Sequence, residues 1–259
     1  MKRAALLLAL ACSLVLLSGC ISQPPQPTPT PAPFATPSPS TTPTPEATPA
    51  LTPAPEAAPS PTPHLEGGNL TLLMLGRSVT ENWAGFMGLE YDGTGYSGDY
   101  GGFHIITRHI DTPPDLPDSV DAYVEEAGGA ADAVFFKLCF EDFSTEEGSI
   151  ERNEGYVQRA YETAVVRHHK TLIMDNALPM VQIYTTPGLV QNHLEYDAWL
   201  EEFARTHSGV CVLDLHGALA TPAGYLNPDY ASAPDDSHPN ERGYEVITPL
   251  LLGKARNCG

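Results

Sequence analysis

The sequence predicts an α/β fold: helices layered on both sides of a five-stranded, mostly parallel sheet. Three observations predict it. From residue 68 onward, short apolar runs alternate with longer helix-compatible stretches, the pattern of repeated strand–helix units. The runs are nearly continuous in apolar character, as strands buried on both faces must be. Polar residues with chemical potential follow the ends of these runs: Ser78, Glu141-Asp142, Thr185-Thr186 and the loop after Leu215. In open α/β sheets, sites form at the carboxyl ends of the strands.

Asn69–Leu75 is the first predicted strand, and it runs into Gly76-Arg77-Ser78-Val79-Thr80. A serine on such a strand-to-helix turn is held by backbone, and the next helix directs its first N–H groups toward it. Trp83, Phe86, Met87 and Leu89 predict a short helix. Asp92–Gly102, rich in Gly, Tyr and Asp, reads as a long loop. Phe103–Ile110 is the second strand, broken by Pro113, Pro114 and Pro117, and Asp118 caps a helix running to Ala127. Ala133–Phe140 is the third strand and leads into Glu141-Asp142-Phe143. Gly155–Lys170 carries a helical stripe at Val157, Ala160, Tyr161, Ala164 and Val165. Pro179–Thr185 is the fourth strand, stopped by Pro187. Leu194–Thr206 is a helix with Leu194, Trp199, Leu200 and Phe203 facing the core, and Val210–Leu215 is the fifth strand. A Pro/Gly/Asp-rich loop then reaches Asp235–His238. Pro239 suits the first turn of a last helix, which places Tyr244, Ile247 and Leu251 on one face.

Residues 1–63 stand apart from this pattern. A basic head, Met1-Lys2-Arg3, precedes the apolar run Ala4–Leu17, which is too short for a comfortable membrane span. Leu17-Ser18-Gly19-Cys20 follows. This order resembles the lipobox of bacterial lipoproteins, in which the cysteine becomes the lipidated first residue. The resemblance implies a signal peptide over 1–19, acylation (palmitate included) at Cys20, and an extracytoplasmic domain held at the cell surface by its lipid anchor alone. Residues 20–63 read as a tether: 16 of the 26 prolines lie here among Thr, Ser and Ala, so the segment cannot bury enough surface to offset its ordering entropy. Residues 64–259 form the folding domain, a size that suits one core and is expected to act as a monomer.

Lys2 and Arg3 balance Glu46 and Glu56, so the whole formal charge of −19 falls on residues 64–259. Such a surface repels nucleic acid and anionic headgroups and excludes them as partners. Cys139 and Cys211 sit inside apolar runs and read as buried small hydrophobes. With Cys258 they make an odd set lacking a Cys-x-x-Cys pair, which argues against a zinc site, a redox motif or a disulfide-built scaffold. His168-His169 beside Lys170 read as cations at a helix end. With no Walker or dinucleotide fingerprint and no ligand-spaced histidines, neither cofactor nor metal is expected.

Ser78 and the distant Asp235-x-x-His238 are the residues with complementary chemistry. Serine is a poor nucleophile until a base takes its proton, imidazole can do so near neutral pH, and a carboxylate on the other ring nitrogen holds the tautomer. At this point the chain resembles the SGNH (GDSL-like) hydrolases, esterases and lipases on a flavodoxin-like three-layer fold. Their first block, Gly-Asp-Ser-[Ile/Leu/Val]-Thr, is met by Gly76-Arg77-Ser78-Val79-Thr80; their last, Asp-x-x-His-Pro, by Asp235, His238 and Pro239. The resemblance implies that Ser78 is the nucleophile, His238 the general base and then acid, and Asp235 its orienter. Asp236 is the alternative, with a spacing that fits the family less well. It also implies an oxyanion hole made from the serine N–H, a glycine after the second strand and an Asn in the third block. Here those places read Asp111-Thr112-Pro113-Pro114 and Glu141, and Arg77 replaces the usual Asp. Arg77 or Asn82 is the candidate substitute donor, since losing one donor typically costs about 100- to 1,000-fold in rate. The expected function is hydrolysis of a carboxylic ester, O-acetyl groups on a polysaccharide among the choices. The alternative is a weakly active or inactive SGNH-like module that binds a glycan or protein.

Overall fold

In a computed structural model of the protein, residues 70–127 and 129–258 are described. The expected signal peptide over 1–19, Cys20, the proline-rich tract and the expected domain start at residue 64 lie outside them.

Strand β1 (Leu70–Gly76) is central. β4 (Phe103–His109) and β5 (Ala133–Phe136) pair with it in parallel on either side. β6 (Thr171–Asp175) and β7 (Val210–Leu213) extend the parallel sheet outward from β5. On the other edge, β2 (Glu90–Tyr91) and β3 (Tyr96–Tyr100) form a hairpin antiparallel to β4, so the sheet has seven strands in the order β2-β3-β4-β1-β5-β6-β7. Helices α1 (Ser78–Phe86), α5 (Leu215–Leu219) and α6 (Glu241–Asn257) cover one face. Helices α2 (Leu116–Ala127), α3 (Ser149–Tyr161) and α4 (Pro187–Thr206) cover the other. Successive residues of β1 serve the two cores in turn, Leu72 and Met74 one way, Leu73 and Leu75 the other. That is why these strands lack polar alternation. The expected α/β sandwich is therefore present.

The hairpin replaces the expected loop over Asp92–Gly102. β3 reads Tyr-Ser-Gly-Asp-Tyr, with no apolar run to announce it, and it is formed by pairing with β4. Its turn is an Asx turn: Asp92 Oδ1 accepts from the N–H groups of Thr94 and Gly95. The fourth parallel strand is β6, and Pro179–Thr185 is a loop with a 3-10 turn at Gln182–Tyr184. β6 is short and directly follows a helix that passes into a π segment, Glu162–Arg167, so it reads as that helix's tail. Pro187 starts α4 rather than stopping a strand, with Thr186 as N-cap. Pro239 ends a strand, and α6 is capped by Asn240, whose Oδ1 accepts from Gly243 N–H at 3.1 Å.

Cys211, expected as a buried thiol, is disulfide-bonded to Cys258 with Cα atoms 5.8 Å apart, while Cys139 is free and buried. The bond joins β7 to the end of α6 across 47 residues, a juxtaposition that only helix-on-sheet packing creates. Converting both cysteines to serine is expected to lower unfolding free energy by up to about 4 kcal/mol through the freed loop. Urea midpoints of variant and wild type, the latter with and without reductant, measure it.

Asp197 on α4 is largely buried and accepts the Ala177 N–H at 2.9 Å. Burial, opposed by that hydrogen bond and reinforced by Asp214 and Asp175, raises its pKa to about 7. A folded pKa above the unfolded one means that folding favours the protonated group. Its contribution is full below about pH 4 and is lost as pH rises through 7. Asp197→Asn is expected to leave stability near pH 4 little changed and to raise it at pH 8, as read by urea unfolding at the two pH values.

Candidate active site

Ser78 is the first residue of α1, directly after β1. Gly76 permits this turn by lacking a side chain: a Cβ there would stand 2.0 Å from Thr80 Oγ1. His238 comes from the opposite end of the domain, on a small hairpin of β8 (Ala231–Ala233) and β9 (Asp236–Pro239). The hairpin is well anchored. Asn240 Nδ2 donates to the carbonyls of Asp229 and Ala231, and Ser237 Oγ accepts the Val181 N–H at 3.1 Å. The result brings Ser78 Oγ to 2.7 Å from His238 Nε2, across 160 residues of sequence.

The carboxylate behind the imidazole is Asp236, and this corrects the expectation of Asp235. Asp236 Oδ1 lies 2.5 Å from His238 Nδ1 and also accepts the His238 backbone N–H at 2.9 Å. The reason is local geometry. The segment is a strand, in which side chains at i and i+2 share a face. Asp236 and His238 therefore point one way and Ser237 the other, while Asp235 is exposed in the turn before the strand. The three-residue spacing presumed a loop before a helix. Partial burial would raise the pKa of Asp236, but hydrogen bonds from the His238 N–H and ring, with the imidazole's charge, bring it below the ordinary carboxylate value. The Phe140 ring meets the His238 ring edge-on at 5.5 Å.

On the other side of Ser78, helix α1 starts with no side-chain cap, leaving its first N–H groups to face the strand ends. Arg77 is buried and forms an ion pair with Asp142, which takes up the guanidinium expected as a substitute donor. Asp142 Oδ2 also accepts the Cys139 N–H at 2.8 Å, and its carbonyl accepts from Asn153 Nδ2, so the turn Phe140–Asp142 is tied to both the Arg77–Ser78 turn and α3. Glu141, at the position of the expected amide donor, is exposed. Asn82 is exposed one helical turn beyond Ser78, in a groove of about 460 Å³ beside Phe86, Ser232 and Glu241. Neither side chain makes a hydrogen bond among the described residues. After β4, Asp111 N–H is bound to Ser119 Oγ at 3.0 Å, and Pro113 and Pro114 have no N–H. That leaves the Thr112 N–H as a free backbone donor in this loop among the described residues. It is a candidate oxyanion donor: a glycine is not required at this place after the strand, because any residue's N–H suffices. Among the described residues no group of three side chains is arranged to hold a metal ion.

No family model and no curated protein matches the chain. Solved structures do. A GDSL-like lipase from Bacteroides thetaiotaomicron superposes with a TM-score of 0.55 at 16% identity, covering 72% of this chain and 88% of that one. A catalytic mutant of an acetylxylan esterase from Geobacillus stearothermophilus gives 0.55 at 14%, covering 73% and 95%. A protein of the G-D-S-L family from Desulfitobacterium hafniense gives 0.53 at 17%, covering 71% and 98%. The domain has the SGNH-hydrolase fold. On that SGNH scaffold the serine and histidine blocks are brought together, and the two loops flanking them carry this chain's own residues.

The Asp235/Asp236 assignment is open to direct measurement. Asp236→Asn is expected to lower kcat by about 10³- to 10⁴-fold, since it loses the carboxylate that fixes the ring tautomer. Asp235→Asn is expected to stay within about 3-fold of wild type, as a surface change away from the ring should. Steady-state turnover of a short nitrophenyl ester compares the two.

Proposed function

We propose that this protein is a serine hydrolase of carboxylic esters that works through an acyl-enzyme. The observation that carries the reading is the relay Ser78 Oγ–His238 Nε2 at 2.7 Å with His238 Nδ1 on Asp236. In the first step His238 Nε2 takes the Ser78 hydroxyl proton as Oγ bonds to the ester carbonyl carbon. The carbonyl electrons move onto oxygen, and the oxyanion meets the Ser78 N–H at the start of α1 and the Thr112 N–H. The intermediate collapses, the bond to the alcohol oxygen breaks, and His238 returns the proton to that oxygen. Water then enters, His238 takes its proton, and the same sequence releases the carboxylic acid and restores Ser78. Asp236 holds the Nδ1–H tautomer and faces the imidazolium each time it forms.

Similarity to esterases supports the reading, as does one comparison in particular: catalytic mutants of the Geobacillus acetylxylan esterase replace a serine or a histidine by alanine. O-acetyl groups on a polysaccharide are the substrate we favour. We also propose that Cys20 anchors the domain outside the cytoplasm; a disulfide in the folded domain fits an oxidising compartment. Release from the membrane fraction by Cys20→Ala tests the anchor. Glu141, standing where an amide donor is expected, favours a second reading in which the module binds without turnover.

A fluorophosphonate probe and 4-nitrophenyl acetate separate the two. The hydrolase reading expects labelling and turnover in wild type and loss of both in Ser78→Ala and His238→Ala. Equal, near-background turnover in wild type and Ser78→Ala would sink it in favour of the binding module.

A further inference from the structure

Beside the nucleophile turn opens a pocket of about 480 Å³ whose walls include Arg77, Thr112, Pro113, Glu141, Arg152 and Tyr156. Its place follows from the sheet. β4 and β5 flank β1, so the loop after β4 and the turn after β5 stand on either side of the strand that delivers Ser78. Arg152 and Tyr156 come from α3, four residues apart and thus on one helix face. The volume lies within the range of small-molecule sites.

The chemistry of the walls is informative because so much of it is uncommitted. Among the described residues, the hydroxyls of Thr112 and Tyr156 and the carboxylate of Glu141 make no hydrogen bond. Arg152 has only a 3.5 Å contact with Ser149 Oγ. Covering these groups with an acyl chain would strip them of water and return nothing, a penalty of about 1–3 kcal/mol for each group left unsatisfied. A ligand with several hydroxyls would satisfy donors and acceptors together. The charges point the same way. Arg77 and Asp142 neutralise each other as a buried pair, and the formal charges of Arg152 and Glu141 cancel, so the walls carry no net charge in a domain that is otherwise strongly acidic. An anionic ligand would meet Glu141 and the field of the whole domain. Pro113, Pro114 and the Tyr156 ring add the flat apolar surface on which the C–H face of a pyranose can rest.

We propose that this pocket is a sugar subsite beside the ester site, that it takes a neutral sugar unit of the substrate, and that Arg152, Tyr156 and Glu141 determine this specificity. The proposal rests on the serine-hydrolase reading and names the substrate class of that site.

The test compares kcat/KM of the full-length protein for acetylated xylo-oligosaccharides and for 4-nitrophenyl acetate, whose alcohol offers no hydroxyls beyond the ester. The readout is the ratio of the two. In the double variant Arg152→Ala, Tyr156→Phe the ratio is expected to fall by about 10-fold or more, since unpaired polar groups at a site built for hydroxyls discriminate strongly. Unacetylated xylo-oligosaccharide is expected to inhibit wild-type nitrophenyl acetate hydrolysis competitively. That second arm decides the matter should the double variant fail to fold. An unchanged ratio in a folded variant, or no inhibition of wild type up to the solubility limit, overturns the subsite and leaves the hydrolase reading standing. Faster hydrolysis of an acetylated uronic-acid oligosaccharide overturns the neutral-sugar assignment. Absence of Ser78-dependent nitrophenyl acetate turnover overturns both readings.

Discussion

The packing of α1 against α6 is the interaction on which the site depends. Ser78 opens the first of these helices and His238 closes the hairpin that leads into the second. Two buried hydrogen bonds lock the seam: Trp83 Nε1 donates to Thr248 Oγ1 at 2.8 Å, and the Tyr244 hydroxyl donates to the Val79 carbonyl at 3.1 Å. Tyr244 also stacks on Phe86 and lies within 6.0 Å of Trp83, so the seam is aromatic as well as polar. A pair of groups 160 residues apart cannot meet at 2.7 Å unless the elements that bear them are held rigidly. The disulfide between β7 and the end of α6 fastens the same helix at its far end.

A second constraint lies beneath the strand ends. Two buried ion pairs stand there, Arg77–Asp142 and Lys137–Asp175. Burial raises the pKa of Asp175 to about 7, with Lys137 opposing the rise. Such pairs add little net stability, because desolvation offsets attraction, but losing one partner typically costs about 3–5 kcal/mol. What they supply here is geometry. Asp142 joins the residue before Ser78 to the turn after β5, and Lys137 Nζ, on the residue after β5, also donates to the Leu138 carbonyl at 2.6 Å. The walls of the pocket beside Arg77 hang on the first of these pairs.

Much of this was legible in the chain. Four of the five parallel strands, β1, β4, β5 and β7, announce themselves through apolar runs, because burial on both faces demands them. Ser78 and His238 were readable as partners because a serine and an imidazole at strand ends have complementary chemistry. The failures have specific causes. β3 has no hydrophobic signature, since it is an edge strand formed by pairing. β6 was hidden behind a helix that runs into it. Asp236 lost to Asp235 because the spacing was read as a loop, whereas a strand sets a period of two. The Thr112 N–H leaves no mark in residue type, because it is a backbone donor, and only its place after a strand points to it.

The sequence by itself determined the fold class, the acidic character of the domain, the distinct composition of the first 63 residues, and which serine and histidine to look for together. These follow from hydrophobic period, composition and side-chain chemistry, which are local properties. Tertiary structure decided which carboxylate stands behind the imidazole, that Cys211 and Cys258 are bonded, that Arg77 is committed to Asp142, and which polar groups line the pocket beside Arg77. Each of these is a distance between elements far apart in the chain, and helix-on-sheet packing sets such distances.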